Sequence, residues 1–316
     1  MRKFVGMILT VLLLFGTVAC NVSTVDNPPD GNKEEQTRLG GWTFRQLPSQ
    51  STDRFNNYMM SYMLIGPSGE VLVIDGGRKE DAEYLIGEIV KFGGRVDLWL
   101  LTHPHDDHII ALDRILRKNA VEIGKVAYNF PSLENIKKYA SLETYESTKN
   151  FLEILDNTGI EKNIVRRGDT IKFSDLKIKI LTEPDPNLTY DFVNSNSIVY
   201  RIETTQEKIL ILGDLSEMAG NILIKQSPDL IKDCEIVQMG HHGNGGPNEE
   251  FYKLVNPKTC FWPTPDWLWF CDNGGGEGSF AVENGGRWAT LETRRWIQRL
   301  GVTENYVMKD GLFEIK

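Results

Sequence analysis

The stretch that most constrains this chain is Leu100-Leu101-Thr102-His103-Pro104-His105-Asp106-Asp107-His108. It closes the apolar run Val96-Asp97-Leu98-Trp99-Leu100-Leu101, which has the composition of a buried strand. Pro104 cannot donate to a ladder and steers the residue before it away from helical backbone, so the strand must end at Thr-His-Pro. His103 and His105 then sit on a loop at the strand's carboxyl end. Asp107 and His108 stand at the mouth of a helix that Ile109-Ile110-Ala111-Leu112 begins.

Imidazole and carboxylate together are the ligand set of zinc and other first-row divalent metals, and crowding them without a metal is electrostatically unfavourable. The alternative is a polar turn with incidental histidines. Composition weighs against it: of five histidines, three lie in this loop and the other two are adjacent at His241-His242.

Two more apolar runs end in similar groups: Lys208-Ile209-Leu210-Ile211-Leu212-Gly213-Asp214 and Ile236-Val237-Gln238-Met239-Gly240-His241-His242-Gly243. Ligands gathered at strand ends are how sheet enzymes assemble a site from distant sequence. Asp214 alone reads as a turn aspartate. Its place between the two histidine clusters makes it a site candidate.

The 316 residues, 41% hydrophobic and 25% charged, supply a sizeable core. Arg2 and Lys3 precede an uncharged, mostly apolar stretch of Val5 to Val18, too short for a comfortable membrane span, so residues 1–20 read as an export signal. Thr17-Val18-Ala19-Cys20 resembles a bacterial lipoprotein signal that would place a lipid on Cys20, with a plain secretory signal as the alternative. The expectation is an exported protein, anchored to the membrane at the cell surface. Residues 21–40 are polar and lack apolar periodicity, which predicts a solvated tether, and residues 41–316 read as one domain starting near Trp42. Without Arg2 and Lys3 the chain carries 33 Lys and Arg against 44 Asp and Glu, a net charge of -11. That favours small or wall-attached substrates over long nucleic acid, whose binding depends on neutralising phosphates. Cys260 and Cys271 could pair in an exported protein, with Cys234 left over.

Within the domain, period-two patterns predict strands over Trp42 to Leu47, part of Tyr58 to Ile65, and Glu70 to Gly77, and a helical spacing runs from Asp81 to Phe92. Strand patterns return at Ser174 to Leu181 and Ser197 to Glu203. Phe261 to Phe270 holds five aromatics and is followed by a glycine-rich run: either a lid or substrate wall, or an aromatic core segment. Thr290 to Leu300 reads as a helix. Asn305 to Met308 and Leu312 to Ile315 predict a closing hairpin around Lys309-Asp310-Gly311.

His103-x-His105-x-Asp107-His108, with Asp75-Gly76-Gly77, Leu212-Gly213-Asp214 and Gly240-His241-His242-Gly243 in order, resembles the metallo-β-lactamase fold superfamily. Thr-His-Pro-His-x-Asp-His and Asn194-Ser195-Asn196-Ser197-Ile198-Val199 are similar to the hydrolase domain of the competence protein ComEC and its free-standing relatives. The resemblance implies an α/β fold, an αββα sandwich of two mixed sheets with helices on the outer faces. It implies one or two divalent ions, Zn or Mn. His103 and His105 would hold one and Asp107 and His108 the other, with Asp214 bridging and His242 completing the second. His241 would face substrate as a phosphate contact or proton donor, and Asp107 would also orient the attacking hydroxide. Most dinuclear members carry a further histidine between the signature loop and the bridging aspartate. This chain has none between His108 and His241, so the first metal is the poorer in ligands. Room for phosphate oxygens makes phosphodiester hydrolysis the leading expectation, on nucleotide, nucleic-acid or cell-surface phosphorylcholine-type substrates. The alternatives are hydrolysis of an ester, lactone or β-lactam, and noncatalytic capture of a surface ligand.

Overall fold

The computed structural model describes residues 37–316, which form one compact unit. The expected signal, Cys20 and most of the tether lie outside the described residues. Strands β1 (Thr43–Gln46), β2 (Ser61–Ile65) and β3 (Val71–Asp75) make an antiparallel meander. Helix α1 (Ala82–Lys91) leads to a short ribbon strand β4 (Arg95–Val96) and then to β5 (Leu98–Leu100), parallel to β3. Helix α2 (Asp106–Lys118), ribbon strand β6 (Glu122–Ile123) and β7 (Lys125–Tyr128) repeat the crossover. Helices α3 (Leu133–Tyr139) and α4 (Leu142–Asp156) then lead to the edge strand β8 (Glu161–Ile164).

The second sheet begins with antiparallel β9 (Thr170–Phe173) and β10 (Leu176–Ile180), a helical turn α5 (Phe192–Ser195), β11 (Tyr200–Glu203) and β12 (Lys208–Ile211). Helices α6 (Glu217–Gln226) and α7 (Pro228–Ile231) precede β13 (Ile236–Gln238), and α8 (Glu249–Val255) precedes β14 (Thr259–Trp262). Helices α9 (Asp266–Trp269) and α10 (Thr290–Arg299) precede β15 (Glu304–Val307), and β16 (Phe313–Ile315) ends the chain. The two seven-stranded sheets run β16-β1-β2-β3-β5-β7-β8 and β15-β14-β13-β12-β11-β10-β9. Each is antiparallel on one side and parallel on the other.

Alternate residues of each strand point to opposite faces, and in the central strands both faces are covered. Leu72 and Ile74 of β3 join Ile209 and Ile211 of β12 and Phe261 of β14 in the layer between the sheets. Val71 and Val73 face Leu85 and Ile89 of α1 and Ile109 and Leu112 of α2. On the other side, Leu210, Val237 and Cys260 face Leu223, Phe251 and Ile297 of α6, α8 and α10. The result is the expected αββα sandwich with two mixed sheets.

Two expectations are corrected, and the pairing that the sequence left open is answered among the described residues. The closing hairpin does not form: β15 pairs parallel with β14, and β16 pairs antiparallel with β1 in the other sheet. Splitting the two strands pairs the backbone of β1 in one sheet and of β14 in the other, whereas a hairpin would extend only one of the sheets. Cys260 and Cys271 are unpaired and buried, as is Cys234. Cys260 faces the helix layer, and burial pushes its thiol up, as it does that of Cys234 to about 11. Residues 37–40, assigned to the tether, belong to the folded unit: Leu39 is fully buried, and the Arg38 N–H donates to the Lys316 carbonyl at 2.9 Å.

Candidate metal centre

The parallel halves of both sheets present their carboxyl ends at one edge. There β3 ends at Asp75, β5 runs into Thr102 to His105, β12 into Gly213-Asp214, and β13 into Gly240 to Gly243. The six residues singled out as ligands come together in two groups that share Asp214. Asp107, His108, Asp214 and His242 offer ligand atoms within 4.8 Å of one another, and so do His103, His105 and Asp214. His242 Nε2 lies 3.0 Å from Asp107 Oδ2 and 3.4 Å from Asp214 Oδ2, and His108 Nε2 lies 3.4 Å from Asp214 Oδ1. In the other group His103 Nε2 is 3.1 Å from His105 Nδ1 and 3.9 Å from Asp214 Oδ2.

The rings are held from behind. His108 Nδ1–H donates to Asp75 Oδ2 at 2.8 Å, and His242 Nδ1–H donates to the Pro263 carbonyl at 2.6 Å, so both present Nε2 to the centre. Asp75, fully buried, also accepts from the Thr102 N–H at 2.8 Å and the Thr102 hydroxyl at 2.7 Å. It is thereby the brace of the whole loop.

His241 (φ 51°) and His242 (φ 54°) are consecutive non-glycine residues in the left-handed region, a conformation that costs about 1–3 kcal/mol each and persists only where the surroundings impose it. The His241 N–H donates to the Gly213 carbonyl at 3.1 Å, and the Thr264 hydroxyl donates to the His242 carbonyl at 2.7 Å. The turn sends the two imidazoles apart, His242 into the cluster and His241 to the cavity wall.

Residues 58–252, more than half of the chain, match the sequence model of the Metallo-beta-lactamase superfamily. The chain belongs to that superfamily. Its members are mostly metal-dependent hydrolases. Among solved structures it is similar to the metallo-beta-lactamase fold protein YhfI from Bacillus subtilis, at 12% identity and a TM-score of 0.53 over 87% of this chain and 99% of that one. It is also similar to CmlA, a diiron beta-hydroxylase from Streptomyces venezuelae, at 12% identity and a TM-score of 0.55 over 87% of this chain and 54% of that one. No curated protein matches it significantly by sequence. Likeness at this level is a likeness of fold, and a fold does not choose its chemistry.

The superfamily uses divalent metals, and the residues present fit them. His108 Nε2 and Asp214 Oδ1 are buried and have no hydrogen-bond partner among the described residues, although both face the centre. Two carboxylates with two imidazoles, and two imidazoles with the shared carboxylate, are donor sets for a first-row divalent ion. Charge within the centre divides the histidines. Burial, with His108 nearby, holds His103 well below the ordinary imidazole range, and burial lowers His105. Burial also opposes the charging of His108 and His242, but Asp214 and Asp107 outweigh it, raising His108 well above its usual value and His242 to about 10. Asp107 is likewise opposed by burial, yet His108 and His242 bring it down to about 2.

Asn194, in the segment that lies between the signature loop and Asp214 in sequence, lines the same cavity as His105. Its amide donates to both carboxylate oxygens of Asp191 at 3.1 Å and, at 3.4 Å, toward His241 Nε2. Ser197 of the same motif accepts from the Asp214 N–H at 3.2 Å. The motif thus steadies Asp214, which both groups share, and His241. Sequence reading passed over Arg78, Tyr58 and Gln238. The first two line a cavity of about 350 Å³ over the centre with Glu143, Trp267 and His241. Trp267 and Leu268 on this wall are nearly buried, and the Trp267 indole donates to Asn57 Oδ1 at 2.8 Å, so the aromatic stretch is both packed core and cavity lining.

Proposed function

We propose that the protein is a metal-dependent phosphodiesterase of the ComEC-like group, exported and held at the membrane by lipid on Cys20. The observation that carries the reading is the asymmetry of the centre: four protein ligands on one side and three on the other, under a cavity lined by Arg78, Asn194 and His241. A centre short of protein ligands has room for substrate oxygens, and phosphoryl groups supply them. His103, His105 and Asp214 would hold one ion, and Asp107, His108, His242 and Asp214 the other, with Zn and Mn both suited. When bound, such ions stabilise developing charge on phosphoryl oxygens and bring the pKa of water from 15.7 toward about 7.

The chain's own residues do the rest. Asp107, which would hold the second ion with His108, His242 and Asp214, would also orient the attacking water with its remaining oxygen. The Asn194 amide faces His241 Nε2 at 3.4 Å. His241, on the cavity wall, would meet the substrate as a phosphate contact or proton donor. Beyond His241 the cleft continues into a cavity of about 720 Å³, where the leaving group fits. The acidic balance favours small or wall-attached substrates over long nucleic acid.

The test is the metal content of the purified soluble domain and its turnover of bis(p-nitrophenyl) phosphate with added Mn²⁺ or Zn²⁺. Asp107→Ala and His242→Ala should each lose at least about 100-fold in kcat. Opening of a lactone or β-lactam with phosphodiesters untouched would replace the reading, as would ligand binding without turnover. For the anchor, Cys20→Ser should move the protein from the membrane to the soluble fraction, and unchanged fractionation counts against it.

A further inference from the structure

Among the described residues Arg78 is the one arginine at the cavity over the metal centre, and it forms no ion pair there with a carboxylate. The turn that carries it is rigid. Gly77 (φ +90°) lies so close to Asp81 that a Cβ would come within 2.7 Å of the carboxylate. Buried Asp81 accepts from the N–H groups of Arg78 at 2.8 Å and Gln50 at 2.6 Å. Three residues earlier the same turn sends Asp75 to His108, so one short segment supports the centre from below and reaches over it from the side.

The guanidinium carbon of Arg78 lies 5.2 Å from the centroid of the Tyr58 ring, and that ring packs at 5.5 Å against His242 and at 6.0 Å against Trp267. Part of the guanidinium's donor capacity is directed at the Tyr58 hydroxyl, and its remaining N–H groups form a fork that matches the oxygens of a phosphoryl group. Elsewhere in the molecule a well-placed arginine is used structurally: Arg45 pairs with Glu88 at 2.8 Å and with Glu314 at 3.3 Å. Arg78 has Asp106, Asp107 and Glu143 on the walls of its own cavity and forms an ion pair with none of them.

We propose that Arg78 is the anion-recognising residue of this cleft, gripping a nonbridging phosphoryl oxygen of the substrate. This deepens the phosphodiesterase reading and rests on it for the choice of substrate, but the contact itself is testable without turnover. The probe is inorganic phosphate, titrated calorimetrically into the protein at saturating Mn²⁺, so that differences in metal affinity do not enter. Arg78→Gln, which keeps much of the side chain's contact with Tyr58, should weaken phosphate binding about tenfold or more, and Arg78→Lys should recover part of the loss. Lys177→Ala, an exposed cation on β10 that removes the same charge far from the cleft, should bind as the wild type does. Equal affinity in Arg78→Gln and wild type, or an equal loss in Lys177→Ala, overturns the proposal, as does a wild type that binds no phosphate. If phosphate binds through Arg78 while no phosphodiester is turned over, the contact stands and the phosphodiesterase reading falls.

Discussion

Asp75 shows how one buried carboxylate can set the chemistry of a neighbour. Burial raises its pKa, while His108 and the two Thr102 donors favour its ionised form. By accepting the Nδ1 proton of His108 it leaves the Nε2 lone pair for a metal. In Asp75→Asn an amide N–H₂ replaces the oxygen facing His108, unless it is turned toward the Thr102 N–H, where it clashes as donor against donor. The ring is then pushed to the tautomer that carries its proton on Nε2. Metal affinity should fall about 10–100-fold, read by competition with a chromogenic chelator, with little change in the far-ultraviolet circular dichroism. The importance of this position was only half legible. Asp75-Gly76-Gly77 stood out as a motif, but its partner lies 33 residues away and only the fold brings them together.

Among the elements, the loops after β12 and β13 depend on each other through Gln238. This fully buried side chain accepts from the N–H groups of Leu212 at 2.7 Å and Gly213 at 2.8 Å, and donates to the carbonyls of Gly213 at 3.0 Å and Met239 at 2.6 Å. Gly213 (φ +57°) has no room for a side chain, since a Cβ would meet that of Thr102 at 2.8 Å. Gln238→Leu leaves buried backbone groups unpaired and should cost about 2–4 kcal/mol in urea unfolding, with loss of metal affinity because Asp214 and the His241-His242 turn lose a shared support. In the sequence Gln238 reads as an interruption of an apolar strand. Its role needed a neighbour in a parallel strand, which periodicity does not identify. The edge strands β8 and β9 were missed for a related reason: both are short and largely exposed, so neither shows a buried face. The closing hairpin misread the same kind of information, because two adjacent strand patterns do not say which edges they will join.

For the molecule as a whole, the centre is a clasp between layers. His103, His105, Asp107 and His108 come from the first sheet's side, Asp214 and His242 from the second. An ion held by both stabilises the sandwich by mass action, so saturating Mn²⁺ or Zn²⁺ should raise Tm over the chelator-treated protein by roughly 5–10 °C. The effect should depend on pH. In the metal-free protein the His242 imidazolium lies between Asp107 and Asp214, with its pKa raised from 6.5 to about 10. Its stabilisation is complete below the unfolded value and is lost as pH rises through the folded one, while the proton that a metal must displace becomes easier to remove. The metal-induced rise in Tm should therefore be larger at pH 8.5 than at pH 6, measured by thermal scanning with and without chelator. A Tm indifferent to metal would sink the clasp.

The residue types on the strand-end loops were written in the sequence by itself. Histidine and carboxylate clusters announce metal chemistry without a fold, and glycines and proline mark where strands must stop. The αββα architecture was implied by the resemblance of the motifs, in their order, to the metallo-β-lactamase fold superfamily. Tertiary structure alone decided which groups face one another. It divided six ligands into a group of four and a group of three around Asp214, turned His241 away from His242, and set Arg78 over Tyr58 with no carboxylate partner among the described residues. The physical reason is that ligand chemistry is local, while tautomer, charge and orientation depend on atoms supplied by other strands.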